Sequence, residues 1–245
     1  MEVAAVELRR QLLGLFARLL EYPEPESVGQ ARACEELLAE AAPEAAGYVG
    51  AFRRYLEGTP IGRVQEAYTA FFDLNPVCAP YIGYQLFGET YRRSVLMLAL
   101  LDRYRAEGFE YTNRSELPDR ISVVMRYASV SGDEDVVVEG LIPALRRMTG
   151  VEEGPPVDGR GPMGSGTPQL EGHSHGGHLE EGVLLEMTEG STAGSGRRAF
   201  EALLTGIRLA LEALWPAPRT VLPTGRALEV GEATRQNGNG RAEEA

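Results

Sequence analysis

The chain has 245 residues, 43% of them hydrophobic, which is enough for one domain with a substantial core. Its formal net charge of -12 speaks against non-specific nucleic-acid binding and favours basic partners. There is no apolar run of membrane-spanning length, and Met1-Glu2-Val3 does not open a secretory signal. A cytoplasmic protein without stable membrane insertion is therefore expected.

In chain order, helical periodicity dominates. Leu8, Leu12, Leu15, Phe16 and Leu19 recur at three- and four-residue steps and share a face, until Tyr22-Pro23-Glu24-Pro25 stops the helix. Ser27 is a candidate cap for a second helix to about Ala41. Pro43 suits the first turn of a third, with Tyr48, Phe52, Tyr55 and Leu56 on one side. After the break at Gly58-Thr59-Pro60, a fourth helix carries Ile61, Val64, Tyr68, Phe71 and Phe72. Residues 75–81 read as a loop.

A long helix is expected from Glu89 to Glu107, with Val95, Leu98, Leu101 and Tyr104 on its apolar stripe and Gly108 as its stop. Ser115 and Asp119 are candidate caps for a helix bearing Ile121, Val124, Met125 and Ala128. Another helix runs from Asp133 to Met148; Val136-Val137-Val138 is its one strand-like spot. The segment 150–196 then holds 13 of the 29 glycines and all three histidines. Such a stretch cannot bury enough apolar surface to offset its ordering entropy. It reads as a flexible insertion, with at most a short helix at Val183–Met187. Phe200, Leu203, Leu204, Ile207, Leu211 and Leu214 form the face of a last helix, closed by Trp215-Pro216. The expected fold is all-α: a helical domain of residues 1–149 plus 197–216, an insertion at 150–196 and a polar tail at 217–245.

Groups suited to catalysis are sparse. All 24 basic residues are arginine, so there is no lysine for a phosphate clamp or a Schiff base. Cys34 and Cys78 form no CxxC pair, and so small a count fits a reducing compartment; both read as small buried hydrophobes. The histidines, His173, His175 and His178, are weak metal candidates, because their spacing matches no structural zinc signature. Two polar clusters remain, Gly88-Glu89-Thr90-Tyr91-Arg92-Arg93 and Ser115-Glu116-Leu117-Pro118-Asp119-Arg120. Each reads locally as a helix start, where the dipole favours Glu89 and Asp119.

In this order and separation the clusters resemble motifs of the molybdoenzyme assembly chaperones, the TorD/NarJ superfamily. The nitrate reductase delta-subunit (NarJ-type) branch is the nearest in pattern. Leu19-Leu20-Glu21-Tyr22-Pro23 resembles that branch's first-helix ending, and Tyr68-Thr69-Ala70-Phe71-Phe72-Asp73 its Tyr-x-x-Leu/Phe-Phe-Asp segment. Gly88-Glu89-Thr90 is similar to its Gly-Glu-Ser/Thr motif, Tyr104 and Gly108 to its Tyr-x-x-x-Gly, and Glu116-Leu117-Pro118-Asp119 to its Glu-Leu-Pro-Asp signature. The likeness spans about Leu12 to Ala128. Tyr91 and Arg120 depart from the pattern, standing where arginine and histidine are usual.

The resemblance implies a single-domain, TorD-like helical bundle that is not an enzyme and needs no cofactor. It implies a partner: the catalytic subunit of a molybdenum oxidoreductase, bound through an N-terminal or twin-arginine-like peptide. It implies a client-binding surface with Glu89 and Arg93 near Glu116 and Asp119, where Arg93 can bridge two carboxylates. Tyr68, Phe71, Phe72 and Tyr104 are candidate walls of the groove, although helical spacing points at least two of the first three into the core. A monomer or weak homodimer is expected. Two other readings stay open: a metal-handling protein using the histidine-rich loop, and a helical enzyme using Glu116 or Asp119 as acid or base.

Overall fold

The computed structural model describes residues 2–74, 78–111, 116–152 and 192–216. The described residues are helical and contain no strand; one isolated antiparallel bridge joins Tyr81 to Arg120. The expected all-α class is the one observed. The histidine cluster, the possible helix at Val183–Met187, Ser115 and the polar tail lie outside the described residues.

The first four helices fall where periodicity and proline punctuation put them: α1 (Glu2–Leu19), α2 (Ser27–Ala41), α3 (Pro43–Gly58) and α4 (Ile61–Thr69). Ser27 is not the cap of α2. It is the first helical residue, and its hydroxyl accepts from the Glu24 backbone N–H at 3.1 Å, which folds the Pro23–Pro25 turn onto the helix. Beyond Thr69 the helix widens to π geometry over Ala70–Leu74.

Short α5 (Ile82–Phe87) has no counterpart in the sequence reading. Six residues cannot sustain a helix by themselves. Its last carbonyls are met from outside: Arg147 Nη1 donates to Gln85 O at 2.8 Å and Leu86 O at 2.9 Å. Next, α6 runs Tyr91–Ala106, two residues later than Glu89. Its buried stripe is Arg93, Leu96, Leu100 and Tyr104, whereas Leu98 is 63% exposed. The expected stripe was rotated because an arginine occupies an inward position that the periodicity assigned to polar surface.

Helix α7 (Ile121–Ser131) starts after Arg120, which takes the cap position with extended backbone; Asp119 is not the cap. The Asp133–Met148 region is helical throughout its valine run. It is split into a π segment, Val136–Leu141, and α8, Ile142–Met148. Pro143, in the first turn of α8, has no N–H to give, which fits a change of hydrogen-bond register just ahead of it. The last described helix, α9, runs Thr192–Leu214 and so begins five residues before Arg197.

Packing forms one core. α1 lies antiparallel against α7, as the pairs Glu21–Arg126 and Arg9–Glu134 require. α3 is sandwiched between α2 and α9. The α3–α9 approach is close at Gly206, where a Cβ would come within 3.1 Å of Tyr48 and Val49 and 3.2 Å of the Ala45 carbonyl. Phe200 of α9 is completely buried and stands within 5.3–5.8 Å, ring centre to ring centre, of Phe52, Tyr68, Phe71 and Phe72. Such aromatic pairs add about 0.5–1.5 kcal/mol each beyond the area they bury. They tie the last helix to α3, α4 and the π turn.

Candidate functional site

The two polar clusters of the sequence meet in space at Arg93. Its Nε donates to Asp119 Oδ2 at 2.9 Å and its Nη1 to Glu89 Oε1 at 2.8 Å. Its guanidinium also lies 5.3 and 5.7 Å from the ring centres of Tyr81 and Tyr84, within range of cation–π attraction. The Asp119 side chain is fully buried. Burial pushes its carboxyl above the ordinary value, and the Arg93 guanidinium opposes that rise. Gly83 makes room for the pair: a Cβ there would fall 2.7 Å from Asp119 Oδ2 and 3.0 Å from the Arg93 side chain.

This pair anchors the segment Glu116–Arg120, which is held from every side. Ile82 N donates to Asp119 O at 2.8 Å, and Ile121 N to Pro80 O at 2.9 Å. The buried Tyr104 hydroxyl donates to Pro118 O at 2.8 Å. Arg120 Nη2 donates to the Tyr68 hydroxyl at 2.6 Å, and that hydroxyl donates to Leu20 O at 3.1 Å. Arg120 Nε also makes an ion pair with Glu116 Oε2 at 2.8 Å. Burial pushes the Tyr68 hydroxyl up to about 12, so it stays a neutral donor at any physiological pH.

The pinned segment forms one lip of a surface hollow of about 720 Å³. Arg18, Glu21 and Tyr22 at the end of α1, with Glu24, Ser27 and Gln30 at the start of α2, line one side. Tyr68, Asp73, Glu116, Arg120, Ser122, Val123 and Arg126 complete it from α4, the π turn, the pinned segment and α7. Glu21 pairs with Arg126 at 3.2 Å, and Glu116 with Arg120. Tyr22 stacks edge-on against Tyr68 at 5.6 Å.

The structure separates the eight sequence candidates into two groups. Arg93, Asp119 and Glu89 converge as expected, but Arg93 and Asp119 are enclosed and bond each other. Tyr104 is equally enclosed and supports Pro118. Phe71 and Phe72 are core rings around Phe200, so in this conformation they wall no groove. Tyr68 is a core ring whose hydroxyl reaches the hollow. Glu116 lines the hollow, and Glu89 is exposed beside Arg93. Sequence reasoning missed Arg18, Glu21, Tyr22, Glu24, Asp73 and Arg126. Glu21, Tyr22 and Asp73 lie inside the quoted motifs, and Arg18 and Glu24 flank the break at Pro23, where charge beside a proline is the signal that could have drawn attention; Arg126 lies mid-helix in α7 and carries no such signal.

Among the described residues, fold and hollow together define an all-α domain with a wide, mixed-charge cleft. Its described lining has neither histidine nor cysteine. Among the described residues, no group of three or more His, Cys, Asp and Glu is placed to hold a metal ion, and no helix is long and apolar enough to cross a membrane.

No family model matches the sequence, and no curated protein matches it either. Among solved structures the chain is similar to a crystal structure of an Archaeoglobus fulgidus protein provisionally named a redox enzyme maturation protein. Identity is 24%, the match covers 56% of this chain and 83% of the other, and the TM-score is 0.40. A score of that size transfers neither fold nor function.

Proposed function

We propose that this chain is a redox-enzyme maturation chaperone. It binds the N-terminal peptide of the catalytic subunit of a molybdenum reductase, respiratory nitrate reductase in the first instance. It keeps that subunit competent for insertion of the molybdenum cofactor, carries no cofactor of its own and catalyses no reaction. The observation that supports this reading best is convergence. Gly88–Arg93 and Glu116–Arg120, the motifs that resemble the chaperone family, are joined through the buried Arg93–Asp119 pair. The segment they fix presents Glu116 to a hollow wide enough for peptide side chains. A surface of that kind suits an amphipathic peptide whose apolar side meets the rim and whose charged side chains meet the cleft.

The test is retrieval of the client. A tagged chain expressed in its native cytoplasm should co-purify with the large subunit of one molybdenum reductase, identified by mass spectrometry. A synthetic peptide of that subunit's N-terminus should then bind at micromolar Kd or tighter, about -8 kcal/mol. Failure of the cognate peptide to bind the folded protein would end this reading.

A further inference from the structure

The hollow has charges that its own ion pairs do not use. Four acidic groups (Glu21, Glu24, Asp73, Glu116) and three arginines (Arg18, Arg120, Arg126) line it. Glu21–Arg126 and Glu116–Arg120 are paired. No ion pair joins Arg18, Glu24 or Asp73 to another described residue, and all three are exposed. A large aromatic side chain also stands in water at the same place. Tyr22 lines the hollow and is 53% exposed. Tyrosine, with an apolar body and a polar tip, is enriched where proteins make contacts. Concave walls also focus the field of the charges they carry.

From this arrangement we infer that the hollow selects a peptide by the sign of two side chains, not by positive charge alone. The occupant presents a basic group to Glu24 and Asp73 and an acidic group to Arg18, with an apolar residue between them resting on Tyr22. A purely basic ligand would leave Arg18 facing like charge. A purely apolar one would strip water from three charges and return nothing to them. The two internal ion pairs hold the walls, and the three charges outside them read the ligand, Asp73 from within the field of Arg120. This inference rests on the peptide-binding reading above and adds the sign pattern and the residues that enforce it.

The probe is a phage-displayed library of random twelve-residue peptides, panned against the full-length chain. Selected peptides should combine apolar residues with at least one acid and one arginine or lysine. One such peptide is then titrated against the wild type, Arg18→Glu and Asp73→Arg, each checked by circular dichroism. These positions are exposed, so the fold should persist. Each reversal should weaken binding about ten-fold, and reversing the opposing charge in the peptide should restore it. Peptides of one sign only, no enrichment at all, or reversals without loss and rescue would overturn the inference. The chaperone reading fails separately: it falls if the wild type retrieves no reductase subunit, and stands if both reversed variants retrieve the subunit as well as the wild type does.

Discussion

Arg93 is a buried cation whose two carboxylates come from separate parts of the chain, so removing either partner has unequal consequences. Asp119→Ala would leave the guanidinium enclosed with only the exposed Glu89 to answer it. A loss of about 3–5 kcal/mol is expected, read from urea unfolding, whereas Glu89→Ala should cost about 1 kcal/mol or less. A near-neutral Asp119→Ala would mean that the pair does not organise the segment. The pH dependence of stability has a definite sign. Burial raises the folded-state pKa of Asp119, so between the ordinary value, about 4, and the raised one, the folded chain holds more protons than the unfolded chain. Asp119 therefore contributes most in acid, and its contribution declines as pH rises through that window. The unfolding free energy of the wild type minus that of Asp119→Asn should fall across this range. A rise would show that attraction to Arg93 outweighs burial. The thiols make a simpler case. Burial pushes Cys78 up to about 12 and Cys34 higher still, so neither should react with a thiol reagent such as dithionitrobenzoate until the protein unfolds.

At the scale of the helix, legibility follows how local the causes are. α1 to α4 are readable because apolar spacing and proline breaks are written in consecutive residues. α6 is readable as a helix but not in its orientation. Arg93 looks like surface until Asp119, twenty-six positions later, supplies its counter-charge. α5 is invisible in the sequence because the groups that complete it belong to Arg147. The site divides in the same way. The meeting of the two motifs could be anticipated; the hollow could not, because its walls come from four different helix ends. Tyr104 shows how one element positions another. Tyr104→Phe would keep the ring against Tyr127 and Phe109 and remove the donor to Pro118 O. The buried carbonyl should then cost about 1–3 kcal/mol, measured by thermal unfolding. Peptide affinity should fall further than stability alone predicts, because the Glu116–Arg120 lip loses a support. Equal affinity in a folded Tyr104→Phe protein would separate the lip from binding.

On the scale of the whole molecule, the aromatic ring of Tyr68 belongs to the core and its hydroxyl to the hollow, so the two are one unit. Phe200→Ala should destabilise by about 3–5 kcal/mol, since the ring is enclosed by four others. Replacing residues 153–191 by a short glycine–serine linker should leave client retrieval intact, which sets the chaperone reading against a metal carrier that needs His173, His175 and His178. Loss of retrieval in a still-folded variant would favour the carrier. Phe200 also has a consequence for the order in which the protein becomes usable. The ring that backs Tyr68 lies in α9 and leaves the ribosome after every described residue that lines the hollow. A nascent chain that has released Arg126 but not Phe200 has the lining residues without the surface that seats Tyr68. On the proposed chaperone reading, competence to hold a client would arrive late in synthesis, when α9 docks, and a half-made chain would not compete with finished copies for the same peptide.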